Sequence, residues 1–134
     1  MHSFKLFITA LLVFCLLDLF WLGYAAKSLY FKYYGSLLRL ENGNLDVLWW
    51  AALIVYCLFA IAIVVFVIPL AKGSLYWAIL YGGLLGIVTY GVYDFTCLAV
   101  FKNMPIGMAF VDWAWGAVIC ALTSFATVVV ARWP

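Results

Sequence analysis

Four uninterrupted apolar runs, each long enough to cross a bilayer, decide what this chain can fold into: about Phe4–Ala26, Leu48–Leu70, Leu75–Phe101 and Ile106–Ala131. A spanning helix needs about 20 predominantly apolar residues. In lipid every backbone N–H and C=O must be paired within the protein, which leaves only helices and closed barrels. The runs are continuous rather than alternating, so the pattern predicts helices. With 71% hydrophobic and 9% charged residues, the 134-residue chain carries more apolar surface than a soluble domain of its size could hide. The expected fold is all-α: one transmembrane domain over residues 1–134, an antiparallel bundle of four transmembrane helices. The first run is long and ends in Phe20-Trp21-Leu22-Gly23-Tyr24 rather than a small-residue cleavage site, so it reads as a permanent span and not a signal peptide.

The connections set the topology. Ala71-Lys72-Gly73-Ser74 and Lys102-Asn103-Met104-Pro105 are short, so the helices they join run antiparallel. Pro105 is placed to open the fourth helix. The first connection, Lys27–Val47, is longer and mixes Lys27, Lys32 and Arg39 with Tyr30, Phe31, Tyr33 and Tyr34, the composition of a segment lying among lipid headgroups. Glu41-Asn42-Gly43-Asn44 reads as the turn that ends it. Trp49, Trp50, Tyr76, Trp77, Trp133 and Tyr24 fall near span ends, as in an interfacial aromatic belt.

The side holding both termini (side A) carries Lys5, Lys72 and Arg132, and the other (side B) carries Lys27, Lys32, Arg39 and Lys102. Three against four does not set an orientation by the positive-inside rule. The balance is also compatible with insertion both ways up and a homodimer. A net charge of +2 gives no reason to expect nucleic acid as a partner. Cys15, Cys57, Cys97 and Cys120 fall one to a span with no CxxC pair, and read as small apolar helix residues. His2 is the only histidine, which argues against a histidine-ligated haem.

Asp18, Asp94 and Asp112 stand out, because a carboxylate in hydrocarbon needs a partner, a proton or a water-filled cavity. Asp18 lies eight residues before Ala26, Asp94 eight before Lys102 and Asp112 seven after Pro105. At 1.5 Å per residue, each sits roughly 10–12 Å below the side B boundary. Tyr56, eight residues after Leu48, reaches a similar level. Gly82, Gly86, Tyr90 and Asp94, spaced by four, share one face of the third helix, and the glycines permit close helix contact. Asp18 shares a face with Phe14, Cys15, Trp21 and Leu22; Asp112 shares one with Met108, Trp115 and Gly116. Thr96, Lys102 and Asn103 add polar groups near the same end.

Three carboxylates in one apolar layer cannot all be charged, so a proton or a cation has to sit among them, or Lys102 and the tyrosine hydroxyls compensate. The expected site is an intramembrane pocket that binds a small ligand, lipid or cation, with or without coupling to protonation. Asp18, Asp94 and Asp112 would be the ligands or proton carriers, while Tyr90, Tyr93, Trp21, Trp115 and Tyr56 shape and orient. If a metal binds, the three aspartates are the oxygen ligands. An alternative is an intramembrane enzyme using the same carboxylates as acid and base on a lipid or isoprenoid. Another is an accessory or scaffold subunit whose polar layer fixes helix register.

Leu17-Asp18-Leu19-Phe20-Trp21-Leu22-Gly23, Phe66-Val67-Ile68-Pro69-Leu70-Ala71, Gly82-Gly83-Leu84-Leu85-Gly86 with Tyr90-Gly91-Val92-Tyr93-Asp94-Phe95-Thr96, and Val111-Asp112-Trp113-Ala114-Trp115-Gly116 together resemble an uncharacterised bacterial family of four-helix inner-membrane proteins, a domain of unknown function. The family pattern has Thr-Tyr-Asp-Leu-Thr-Asn in the third helix and Trp-Pro before the fourth; here Val92 stands for the first Thr, Cys97 for the Asn and Met104 for the Trp. The resemblance implies the architecture and a location in the bacterial inner membrane, and the aspartates match. It implies no activity.

Overall fold

The computed structural model describes residues 2–25, 32, 40–41, 44–45, 48–102 and 104–132. Four helices within them are long and apolar enough to cross a membrane. Helix α1 covers His2–Phe20 and continues through a wide π-helical turn, Trp21–Ala25. Helix α2 covers Trp49–Ala71, α3 Leu75–Val100 and α4 Ile106–Ala131. The chain is a multi-pass membrane protein, an all-α antiparallel bundle, as the apolar runs require.

Within the first connection, two-residue strands β1 (Leu40–Glu41) and β2 (Asn44–Leu45) pair antiparallel, Leu40 opposite Leu45 and Glu41 opposite Asn44. The intervening sequence is Asn-Gly, the pair that two-residue hairpin loops favour. The two strands thus flank the expected turn, whose Asn42 and Gly43 lie outside the described residues. The rest of the proposed headgroup segment lies outside the described residues.

Local chemistry explains the ends and irregularities of the helices. Pro69 has no N–H to offer and crowds the carbonyl four residues back, and α2 widens into a π-type turn at Ile63–Val67 just before it. Lys72 (φ 51) and Gly73 (φ 81) then reverse the chain in the left-handed region. Ser74 caps α3, its hydroxyl accepting from the Trp77 N–H at 3.3 Å. Pro105 stands at the N-cap of α4 rather than inside its first turn, and its carbonyl accepts from the Ala109 N–H at 3.2 Å.

Around the bundle α1 neighbours α2 and α4, and α3 neighbours α4 and the second half of α2. The α3–α4 interface is the most extensive. It is built on glycine: a Cβ on Gly86 would overlap the Gly116 backbone, and one on Gly82 would overlap Ser124 and the Cys120 carbonyl. Without a hydrophobic drive between helices in lipid, such close backbone packing is what holds them together. Ala78, Gly82, Gly86 and Asp94 form the buried stripe of α3. Three hydroxyls are satisfied locally: Thr9, Thr89 and Thr127 donate to the carbonyls of Lys5, Leu85 and Thr123 at 2.7–2.8 Å, whereas the buried Thr123 and Ser124 hydroxyls have no hydrogen-bond partner. The four cysteines are free.

Candidate functional site

The site is assembled from one polar side chain per helix. Asp18 lies just before the π turn that ends α1, and Tyr56 in the second turn of α2. Asp94 lies six residues from the end of α3, and Asp112 six from the start of α4. Counted at 1.5 Å per residue from the side B ends, all four lie about 9–11 Å in.

The Tyr56 hydroxyl donates to Asp18 Oδ2 at 2.9 Å, joining α1 to α2. Asp18 also interacts electrostatically with Asp112, and Asp112 with Asp94 across the glycine-lined α3–α4 interface. The three carboxyls therefore form a chain in the order 18, 112, 94. Tyr56 is 6% exposed, Asp94 is 0% exposed, and Asp18 and Asp112 are half-buried. Neither Oδ1 nor Oδ2 of Asp94 accepts a hydrogen bond of normal geometry. A buried acceptor without a donor costs on the order of 1–3 kcal/mol, and more if it is charged.

Aromatic rings enclose this chain. Trp21 lies flat on Trp115, centroids 4.4 Å apart and planes within 6°. The Trp115 indole N–H lies beside the Asp18 carboxyl without completing a hydrogen bond. Phe14 stacks on Phe59 at 4.7 Å, and Phe59 meets Tyr90 at 5.4 Å. The Tyr90 ring rests against Gly116, where a Cβ would overlap it. Tyr90, two turns of α3 beyond Gly82 and one before Asp94, is thereby seated by a glycine of the neighbouring helix.

Some expected members are placed elsewhere. Tyr93 is 63% exposed and directed outward, although it remains within electrostatic reach of Asp112 and Asp94. It belongs to the rim, because the residue before an inward-facing Asp94 turns about 100° away on a helix. Thr96 and Lys102 are exposed, and Asn103 lies outside the described residues. Among the described residues no three His, Cys, Asp or Glu side chains are arranged to hold a metal ion. A cavity of about 360 Å³ lies at the opposite, side A, end.

Two elements of the site carry no strong sequence signal. The Phe14–Phe59 stack closes the α1–α2 side, yet both residues look like ordinary span residues. On α4, the Trp113 indole donates to the Ile87 carbonyl of α3 at 2.9 Å. Gly91, one turn beyond Ile87, makes room for it, since a Cβ there would sit 3.0 Å from the indole nitrogen.

At the depth of the aspartates the bundle is least closed between α2 and α3. Helix α2 packs on α1 through Trp49–Val67, whereas its backbone approach to α3 lies at Ile63–Ala71, on the side A half, with Phe59 reaching across to Tyr90 above it. This leaves the rim at Tyr93 facing lipid on that side.

A family model described as "Predicted membrane protein (DUF2177)" matches residues 3–129. No curated protein and no solved structure matches the chain.

Proposed function

Because the chain belongs to the DUF2177 family of predicted membrane proteins, a family description that states no reaction, we propose its function from its own residues: it binds a small cation at the Asp112–Asp94 pair, beside Asp18, in exchange for a proton. The observation that carries this reading is the Asp94 carboxyl, fully buried beside the Asp112 carboxyl and with no other hydrogen-bond partner on either oxygen. Two carboxylates in contact in a low-dielectric interior need a positive charge between them. A proton supplies it in the resting protein and a cation displaces that proton. Asp94 and Asp112 form the exchanging pair. Asp18, held by Tyr56, is the fixed end of the chain. Trp21, Trp115 and Tyr90 keep the layer dry and oriented, and Tyr93 stands at the lipid-facing rim. We place the protein in the bacterial inner membrane, where a proton gradient gives such an exchange a direction.

The test is proton release from purified protein in unbuffered detergent on adding Na⁺, K⁺ or tetraethylammonium, read with a pH indicator alongside tryptophan fluorescence, since Trp21 and Trp115 lie beside Asp18. One of these cations is expected to release close to one proton per chain. D94N and D112N should abolish the release, and D18N should weaken it. No release by any of the three cations, or release unchanged in D94N, ends this reading.

A second reading, acid–base chemistry on a membrane-soluble lipid or isoprenoid, draws support from the lipid-facing approach between α2 and α3. Incubation of the protein with labelled membrane lipids distinguishes the two: a new product that requires Asp94 and Asp112 favours the enzyme.

A further inference from the structure

The end of the bundle opposite the aspartates has its own chemistry. All five acidic residues, Asp18, Glu41, Asp46, Asp94 and Asp112, belong to the side B half or its connection, whereas side A carries Lys5, Lys72 and Arg132. The cavity of about 360 Å³ lies here, lined by Leu70, Ala71, Lys72, Ser74, Trp77 and Tyr81. Its lining joins a cationic and a hydroxyl side chain, Lys72 and Ser74, to apolar and aromatic ones, Leu70, Ala71, Trp77 and Tyr81.

The turn that presents Lys72 is held in an uncommon shape. Lys72 takes φ 51, a conformation that glycine or asparagine adopts at less cost than lysine. The following Gly73 is also left-handed (φ 81), and its carbonyl accepts from both Nε (2.9 Å) and Nη2 of Arg132. Arg132 thus brings a second cation to the turn while locking it. Below it, Trp77 and Tyr81 stack at 5.7 Å, with Trp77 44% and Leu70 53% exposed to the bilayer. Lys72 takes this conformation as the left-handed C-cap that ends α2, and the cap holds it at the edge of a cleft at membrane-boundary depth.

We propose that this cleft holds the phosphodiester headgroup of an anionic phospholipid, with Lys72 on the phosphate and the acyl chains running down over Leu70, Trp77 and Tyr81. The occupant follows from three features together: basic residues and no Asp or Glu at this end of the sequence, a boundary position next to a tryptophan, and apolar lining residues that are also lipid-exposed. A lysine at the interface favours anionic lipid by a factor of roughly five, and tryptophan is at home at headgroup depth.

Native mass spectrometry of the full chain, released from micelles containing equimolar phosphatidylglycerol and phosphatidylcholine, tests the proposal. Wild type is expected to retain phosphatidylglycerol in preference. K72Q should lose most of that preference, a roughly fivefold change, while K72R keeps it and K102Q, at the other end of the bundle, leaves it unchanged. Circular dichroism of K72Q checks that the helices are intact; if Lys72 proves necessary for folding, the K72R and K102Q arms and the wild-type preference still decide. Equal retention of the two lipids by wild type, an undiminished preference in K72Q, or equal effects of K72Q and K102Q would overturn it. So would inorganic phosphate alone displacing the retained lipid at low millimolar concentration.

Discussion

Tyr56 and Asp18 meet through a single hydrogen bond of 2.9 Å between residues 38 apart in sequence, and its worth can be bounded. Interhelical hydrogen bonds in membranes average about 0.6 kcal/mol and reach about 1.7 kcal/mol, because the separated helices also find partners. Y56F should lower unfolding free energy, measured by SDS titration in mixed micelles, by an amount in that range. D18N should cost less, since an amide oxygen still accepts from the tyrosine. Asp94 should behave in the opposite sense. Its carboxyl is buried with no partner but Asp112, so D94L, which keeps the same branched arrangement of heavy atoms without the polar oxygens, is expected to raise stability by about 1–3 kcal/mol. The same variant should lose all cation-driven proton release. A gain in stability with a loss of binding separates a functional carboxylate from one that merely holds helices together; a large drop in stability in D94L would favour the scaffold reading. That an aspartate occurs at each of these positions is plain from the sequence. That Asp94 lacks a donor while Asp18 has one is not, because donors come from other helices.

Helices α3 and α4 approach each other through glycine, and the contact is specific to position. A Cβ on Gly86 has no space against the Gly116 backbone, whereas one on Gly83 meets only the Ala121 Cβ at 3.8 Å and the Ala117 carbonyl at 3.9 Å, ordinary van der Waals distances. G86A should therefore destabilise by on the order of 1–3 kcal/mol and G83A should be neutral or mildly stabilising, since alanine is the better helix former by about 1 kcal/mol. Thermal melts in detergent check the pair, and equal effects of the two would contradict the interface described. The four-residue spacing of Gly82, Gly86, Tyr90 and Asp94 makes their shared face legible in the sequence. It does not reveal which helix lies opposite, nor that Gly116 seats the Tyr90 ring. Trp113 is a sharper case. Its indole reaches the Ile87 carbonyl because Gly91 leaves a gap on α3, and nothing in the local sequence of α4 announces that bond. Tyr93 stands at the rim for the related reason that one residue along a helix turns a side chain away from the interior.

As a whole the molecule has one end that holds all five acidic residues together with four basic ones and another that holds three basic residues and no acidic one, with the α2–α3 and α4 termini tied together at the latter through Arg132 and Gly73. Lys72 and Lys102 must then lie on opposite faces of the membrane. In vesicles of a cysteine-less background, K72C and K102C should react with a membrane-impermeant maleimide from opposite sides; labelling of both from one side would contradict four antiparallel spans. The apolar runs alone determined the class of fold, because a backbone in lipid has only helices and barrels available and short connections force neighbours to alternate direction. They also determined the depth of each aspartate, because rise per residue is fixed. The tertiary structure alone decided which helices adjoin and how the three carboxyls are ordered. It also decided which of them is left without a donor and where the cavity lies. These depend on how side chains of separate spans interlock, and apolar helices in lipid have many nearly equivalent ways to pack until glycines and polar groups select one.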